Sequence, residues 1–263
     1  MKPLLSQRAM VQEFMAAFKQ QLPKAFVDAN TKVAEQRFKM LEEEYFEWNK
    51  AEPLSNDLLD ALVDILYIAH GNLLALGLPL EFPASLLNTP SLTIKKLSLH
   101  NEAAKALYSL QQRPLCSQRI TPDHSTLIYA TWLAGLANGF DIDGAFAEVH
   151  AKNMEKIWTS ADDLRHSPYK NTTPTQGGVI VYNDAGKVVK PPSWQPASLH
   201  KYVTAALQKL QPSAEVPQAP SASPELPGLQ QDQSATVSPP PALPVWKITI
   251  GKNSGGRRPS RPA

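Results

Sequence analysis

From Asp57 to Leu76 the chain is apolar almost all the way round a helical wheel, interrupted mainly by Asp57, Asp60, Asp64, His70 and Asn72. A helix with so little polar surface has to be enclosed by other helices, which places it at the centre of a bundle. Ser55 or Asn56 supplies a plausible N-cap and Gly77 a C-terminal stop. Carboxylates at Asp60 and Asp64 are costly to bury in such a helix unless a cation or a paired group meets them.

The flanking sequence is helical as well. Met10, Phe14, Ala17 and Phe18 recur at three- and four-residue spacing, predicting a helix over Gln7–Leu22 that Pro23 ends. A second helix is expected over Asn30–Ala51, with Val33, Phe38, Leu41 and Tyr45 on its buried side and Pro53 closing it. After a proline-containing connection over 79–90, helical patterns cover Ser91–Gln112 and Asp123–Asn138. Gly139 breaks the latter, and Asp141 or Asp143 caps a last core helix running to about Ile157. No alternating segment precedes Gly177. From Gly177 to Val189 the pattern predicts a small hairpin turning around Asn183–Gly186, and a short helix follows near Leu199–Leu210. The expected class is therefore all-α, a helical bundle with a small β-hairpin extension.

Proline marks where the bundle stops. Of 24 prolines in 263 residues, 11 fall between Gln211 and Ala263. That stretch is rich in Pro, Ser, Ala and Gln, too poor in apolar groups to offset its ordering entropy, and is expected to be a disordered tail. The foldable domain is then residues 1–210, long enough to bury a core without disulfides or a structural metal. It carries 21 Lys+Arg against 21 Asp+Glu, and the tail 5 against 3, so no broadly basic nucleic-acid surface is expected. The single Cys116 excludes an intramolecular disulfide framework. The expectation is a cytoplasmic protein with no membrane span and no secretory leader. In the tail, Pro239–Pro244 could offer a polyproline ligand to a protein partner, and Val245–Ile250 a docking peptide.

The acids carry the chemistry. Glu43, Glu44 and Glu47 share one helical face, Asp60 and Asp64 share another, and twelve residues separate Glu47 from Asp60. A connection of that length, including Pro53, lets the two helices lie antiparallel so that their carboxylates converge. Converging carboxylates repel unless a cation sits between them, and an all-oxygen donor set suits Mg2+ or Mn2+. Glu42 reads as a solvated neighbour.

The pattern Glu43-Glu44-x-x-Glu47, a short gap and an acidic pair in a hydrophobic helix resembles the all-α nucleoside triphosphate pyrophosphohydrolases of the MazG-like superfamily, including phage-type phosphoribosyl-ATP pyrophosphohydrolase-like members. Val11-Gln12-Glu13-Phe14, Asp60–Tyr67 with Gly71, and Glu148–Lys156 look like further signatures of the group. The segment Asp184-x-Gly186-Lys187-Val188-x-Lys190-x-Pro192 recurs in such proteins. The likeness covers about 8–78 and 140–200, leaving 79–139 as a helical insertion within a four-helix core. It departs at Ala61, where the group commonly has Glu; Asp60 stands one residue earlier.

The resemblance implies cleavage between the α- and β-phosphates of an NTP or dNTP, with Mg2+ as cofactor. It assigns Glu44, Glu47, Asp60 and Asp64 to the metal, with Glu43 a ligand or the base that activates water. Asn153 and Lys156 would hold the phosphate chain, Arg37 could reach a phosphate, and Tyr67 could stack on a base or sugar. His150 reads as structural, and Phe14 and Phe18 as core or as a wall of the base pocket. A homodimer is implied, which would also cover surplus apolar surface. The sequence leaves a second class open, a non-enzymatic helical adaptor working through its proline-rich tail. The nucleobase preferred, and the division of labour among the acids, are not set by sequence.

Overall fold

The computed structural model describes residues 2–27, 31–82, 96–112, 120–184 and 187–210. They all lie in the first of two units into which the chain divides, Met1–Ala214 and Glu215–Ala263. The proline-rich tail, Cys116 and the start of the predicted Ser91 helix fall outside the described residues.

Among the described residues the order is α1 (Lys2–Ala17), α2 (Thr31–Lys50), α3 (Asn56–Ala75), α4 (Lys96–Gln112), α5 (Thr121–Ala137), α6 (Ile142–Met154), α7 (Ala161–His166), β1 (Asn171–Thr175), β2 (Gly178–Tyr182) and α8 (His200–Leu210). The helical class expected from periodicity is what forms. Helix α3 is the axis, packed by α1, α2, α5, α6 and α8. Leu59, Leu62, Val63, Ile65, Leu66, Ala69 and Leu73 lose all contact with solvent. By length and composition alone α3 could cross a membrane, but it is 78% buried inside this bundle.

Local signals set most of the boundaries. The Ser55 hydroxyl accepts from the Leu58 amide at 3.0 Å and starts α3. At its other end Gly77 takes φ +64, and the Leu78 amide reaches back to the Leu73 carbonyl at 2.8 Å. A Cβ at Gly77 would stand 2.2 Å from the Ala25 carbonyl oxygen, so glycine is required twice over. Gly139 at φ +80 ends α5, and Asp141 caps α6 through the Gly144 amide at 3.0 Å.

Three details depart from the sequence reading. Helix α1 starts at Lys2 and stops at Ala17, well before Pro23. Lys19 adopts φ +55 there, its amide bonding to Ala16 O and that of Gln20 to Met15 O, a glycine-type stop built on a lysine. Val33 is 48% exposed; the buried stripe of α2 is Ala34, Leu41, Tyr45 and Trp48. A strand not expected from sequence precedes Gly177: Thr-rich β1, which lacks an apolar alternation, turns at Gln176–Gly177 and pairs with β2 from Asn171↔Tyr182 to Thr175↔Gly178, in addition to the return expected after β2. Chain beyond β2 still folds back, with Tyr182 bridged to Val188 and the Val189 amide bonded to Val181 O. Helices α4 and α5, of the insertion expected over 79–139, join the bundle. They pack on each other, and α5 lies along α3 while α4 touches α2, burying Leu99, Leu110, Leu127 and Ile128.

Candidate active site

Helices α2 and α3 are joined by five residues and run antiparallel, which sets Arg37 beside Asn72 and the second half of α2 beside the first half of α3. Glu44 is half-buried because it adjoins the stripe of Leu41, Tyr45 and Trp48; Glu43 and Glu47 reach solvent. On α3, Asp64 is half-buried and Asp60 stands exposed at the rim. Burial pushes the Glu44 carboxyl up to about 8, and the charges of Asp64, Glu47, Asp60 and Glu43 add to the rise. Burial raises Asp64 to about 7, with Asp60 and Glu47 reinforcing the shift and Lys156 and Lys190 opposing it. Asp60 is raised too, by desolvation, then by Glu47 and Asp57, against Lys190. Glu44, Glu47, Asp60 and Asp64 thus act on one another across the helix pair, and Glu43 acts on Glu44 along α2.

Among the described residues no three His, Cys, Asp or Glu side chains converge on one metal position. The donor chemistry nevertheless fits a hard divalent cation. The set is carboxylate oxygen throughout, and its mutual repulsion is what such an ion relieves. Two clefts, of about 310 and 460 Å³, lie elsewhere; neither is lined by an acid of α2 or α3.

The end of α6 closes the site from another side. Lys156 donates to Asn153 Oδ1, so the two residues predicted to share a face do so. Burial lowers the Lys156 ammonium to about 8, Lys190 and Lys187 lower it further, and Asp64 raises it. Tyr67 is bonded rather than free. Its hydroxyl lies 3.1 Å from His150 Nδ1, its ring stacks on Phe146 with centroids 5.3 Å apart, and Phe14 meets it edge-on. Burial pushes the Tyr67 hydroxyl well up, against a hydrogen bond with Asn153. His150 Nε2 stands 3.5 Å from Glu13, so this histidine ties α6 to α3 and α1, the structural role expected of it. Phe18 is core, stacked on Phe14.

Arg37 is placed differently from a free phosphate ligand. Its guanidinium donates to Asn72 Oδ1 at 3.2 Å and Gln20 Oε1 at 3.4 Å. Asn72 Nδ2 donates to His124 Nε2 at 3.3 Å, leaving Nδ1–H for the Ile120 carbonyl. This chain couples α2 and α3 to α5.

Three residues with no role assigned from sequence gather around Lys156, namely Lys187, Lys190 and Trp194, and of these Lys190 acts on Asp60 and Asp64. The Lys190 ammonium lies 3.9 Å from the Trp194 ring centre and Lys156 lies 5.6 Å from it. The only local signal was the pair of lysines in the 184–192 motif; nothing in the spacing says that this segment returns to α3.

Residues 11–88 match the family model described as phosphoribosyl-ATP pyrophosphohydrolase. That family belongs to the MazG-like nucleotide pyrophosphohydrolase superfamily. The matched segment holds Glu43, Glu44, Glu47, Asp60 and Asp64, whereas Asn153, Lys156 and Lys190 lie beyond it. The match points to a pyrophosphohydrolase acting on a phosphoanhydride, and members of this MazG-like family typically use divalent metals. No curated protein and no solved structure matches the chain.

Proposed function

We propose that the protein is a Mg2+-dependent nucleoside triphosphate pyrophosphohydrolase, cleaving the α–β bond of an NTP or dNTP to the monophosphate and pyrophosphate. The observation that carries this reading is the pairing of Glu44 with Asp64 across α2 and α3, both carboxyls raised, with Lys156 beside Asp64. Glu44, Glu47, Asp60 and Asp64 would hold the metal. A bound divalent cation neutralises phosphate oxygens and lowers the pKa of the attacking water. Glu43, exposed at the edge of the cluster, is free either to ligate or to accept the proton of that water. Lys156 sets a positive charge near the phosphate chain, and the Asn153 amide, already bonded to Lys156, fixes where that charge stands.

The description of the matching family supports a second substrate, phosphoribosyl-ATP, which presents the same bond. Pyrophosphate release from the full chain, with and without Mg2+, over the common NTPs and dNTPs and phosphoribosyl-ATP separates the two. Turnover of phosphoribosyl-ATP alone selects the second reading, and no turnover of any of them removes both. Glu47→Gln and Asp64→Asn should each abolish release while leaving the helical content unchanged.

A further inference from the structure

Chain that follows the hairpin is fastened on both sides of Lys190. Upstream, Trp158 Nε1 donates to the Val189 carbonyl at 2.8 Å, while the Trp158 and Val179 backbones bond at 2.8 and 2.9 Å. Downstream, Trp194 Nε1 donates to the Lys152 carbonyl at 2.7 Å, on the last turn of α6. A strap held at residues 189 and 194 has little freedom in where it presents residue 190. The exposed Lys190 side chain is itself held against the Trp194 ring by a cation–π contact, and Lys156 approaches the same ring.

Two ammonium groups on one indole repel each other. Among the described residues neither forms an ion pair with a carboxylate within 4.0 Å, although both act on Asp64 through space. Such an arrangement is relieved by a multiply charged anion bridging the two cations. The acids on which these lysines act, Asp64 for both and Asp60 for Lys190, belong to the set that would bind metal, and a metal-bound phosphate chain carries that kind of charge.

The geometry points to a phosphate clamp in which the strap over 187–194 presents Lys190, alongside Lys156, to the pyrophosphate end of the substrate. This rests on the pyrophosphohydrolase reading above and adds a binding residue from outside the segment that matches the family model. Trp194 is a positioning residue, holding the strap to α6 and aligning both ammonium groups.

Binding of inorganic pyrophosphate with Mg2+ to the full chain, followed by calorimetry, tests the clamp without requiring turnover. Lys190→Ala should weaken binding by about tenfold or more, the usual effect of losing a charge-assisted contact. Lys190→Arg should retain most of the affinity, and Lys105→Ala, a surface control on α4, all of it. Wild-type affinity in Lys190→Ala overturns the clamp, as does a wild-type chain that binds no pyrophosphate. Lys190-dependent binding in a chain that hydrolyses no nucleotide upholds the clamp and removes the enzymatic reading. Hydrolysis with pyrophosphate binding indifferent to Lys190 does the reverse.

Discussion

Glu44 on α2 faces Asp64 on α3, and burial together with the Asp64 charge pushes the Glu44 carboxyl up to about 8. Two half-buried acids without a cation between them are a source of instability, and that instability is tied to pH. A carboxyl whose folded pKa is raised contributes stability below its unfolded pKa, near 4.5 for Glu44, and loses it as pH climbs toward 8.

The metal-free protein should therefore lose thermal stability between about pH 5 and pH 8, by on the order of 1–2 kcal/mol once solvent screening of the half-exposed cluster is allowed for. Asp64→Asn should flatten the slope, and Mg2+ should raise the melting temperature more at pH 8 than at pH 6. Melting curves across that range decide it. An unchanged slope in Asp64→Asn would mean that the acids do not interact as described.

Lys156→Met removes the half-buried charge beside Asp64. KM for the nucleotide should rise by about tenfold or more, the scale of one charge-assisted phosphate contact, with the circular dichroism spectrum unchanged. Steady-state kinetics against wild type is the measurement, and an unaltered KM assigns Lys156 to the surface.

Arg37 offers the opposite expectation. Because it donates into the Asn72–His124 chain, Arg37→Met should cost about 1–3 kcal/mol by leaving Asn72 Oδ1 short of a donor. Denaturant melts should show that loss while KM shifts less than twofold or so, well under the tenfold loss of a phosphate contact. A tenfold KM change at unchanged stability would return Arg37 to the phosphates.

Lys19 holds a left-handed conformation that glycine adopts without steric cost. Lys19→Gly should raise stability by about 0.5 kcal/mol, the left-handed strain relieved less the added chain entropy. Gly77→Ala should lower it sharply, since the new methyl group meets the Ala25 carbonyl. Chemical denaturation of both variants reads the difference, and a stabilised Gly77→Ala would contradict the close approach.

A second copy of the chain, expected from sequence as cover for α3, is not needed there because one chain buries α3; the proposed dimer surface is instead the side of α2 on which Val33 and Met40 are exposed. Light scattering behind size exclusion should give twice the 28.9 kDa chain mass. Val33→Glu with Met40→Glu should shift the population to monomer, and a wild-type monomer at micromolar concentration removes the proposal.

What the sequence settled by itself is what local forces settle. A helix apolar on nearly every side has to be central, a cap has to come at Ser55 or Asn56 and at Asp141 or Asp143, Gly77 and Gly139 have to stop, and acids at helical spacing have to share a face. Each depends on residues within a few positions of one another. Tertiary structure alone decided the rest. The α1 stop at Lys19 carries no glycine to announce it, and Thr-rich β1 finds its register only against β2. Val33 turns outward because the neighbours of α2 meet the stripe through Ala34, Leu41 and Tyr45. Arg37 is drawn to Asn72 across the helix pair, and Lys190 comes back to Asp60 and Asp64 from more than a hundred residues away. Coulomb forces and hydrogen bonds between groups so distant along the chain leave no periodicity in the sequence, because they depend on separation in space.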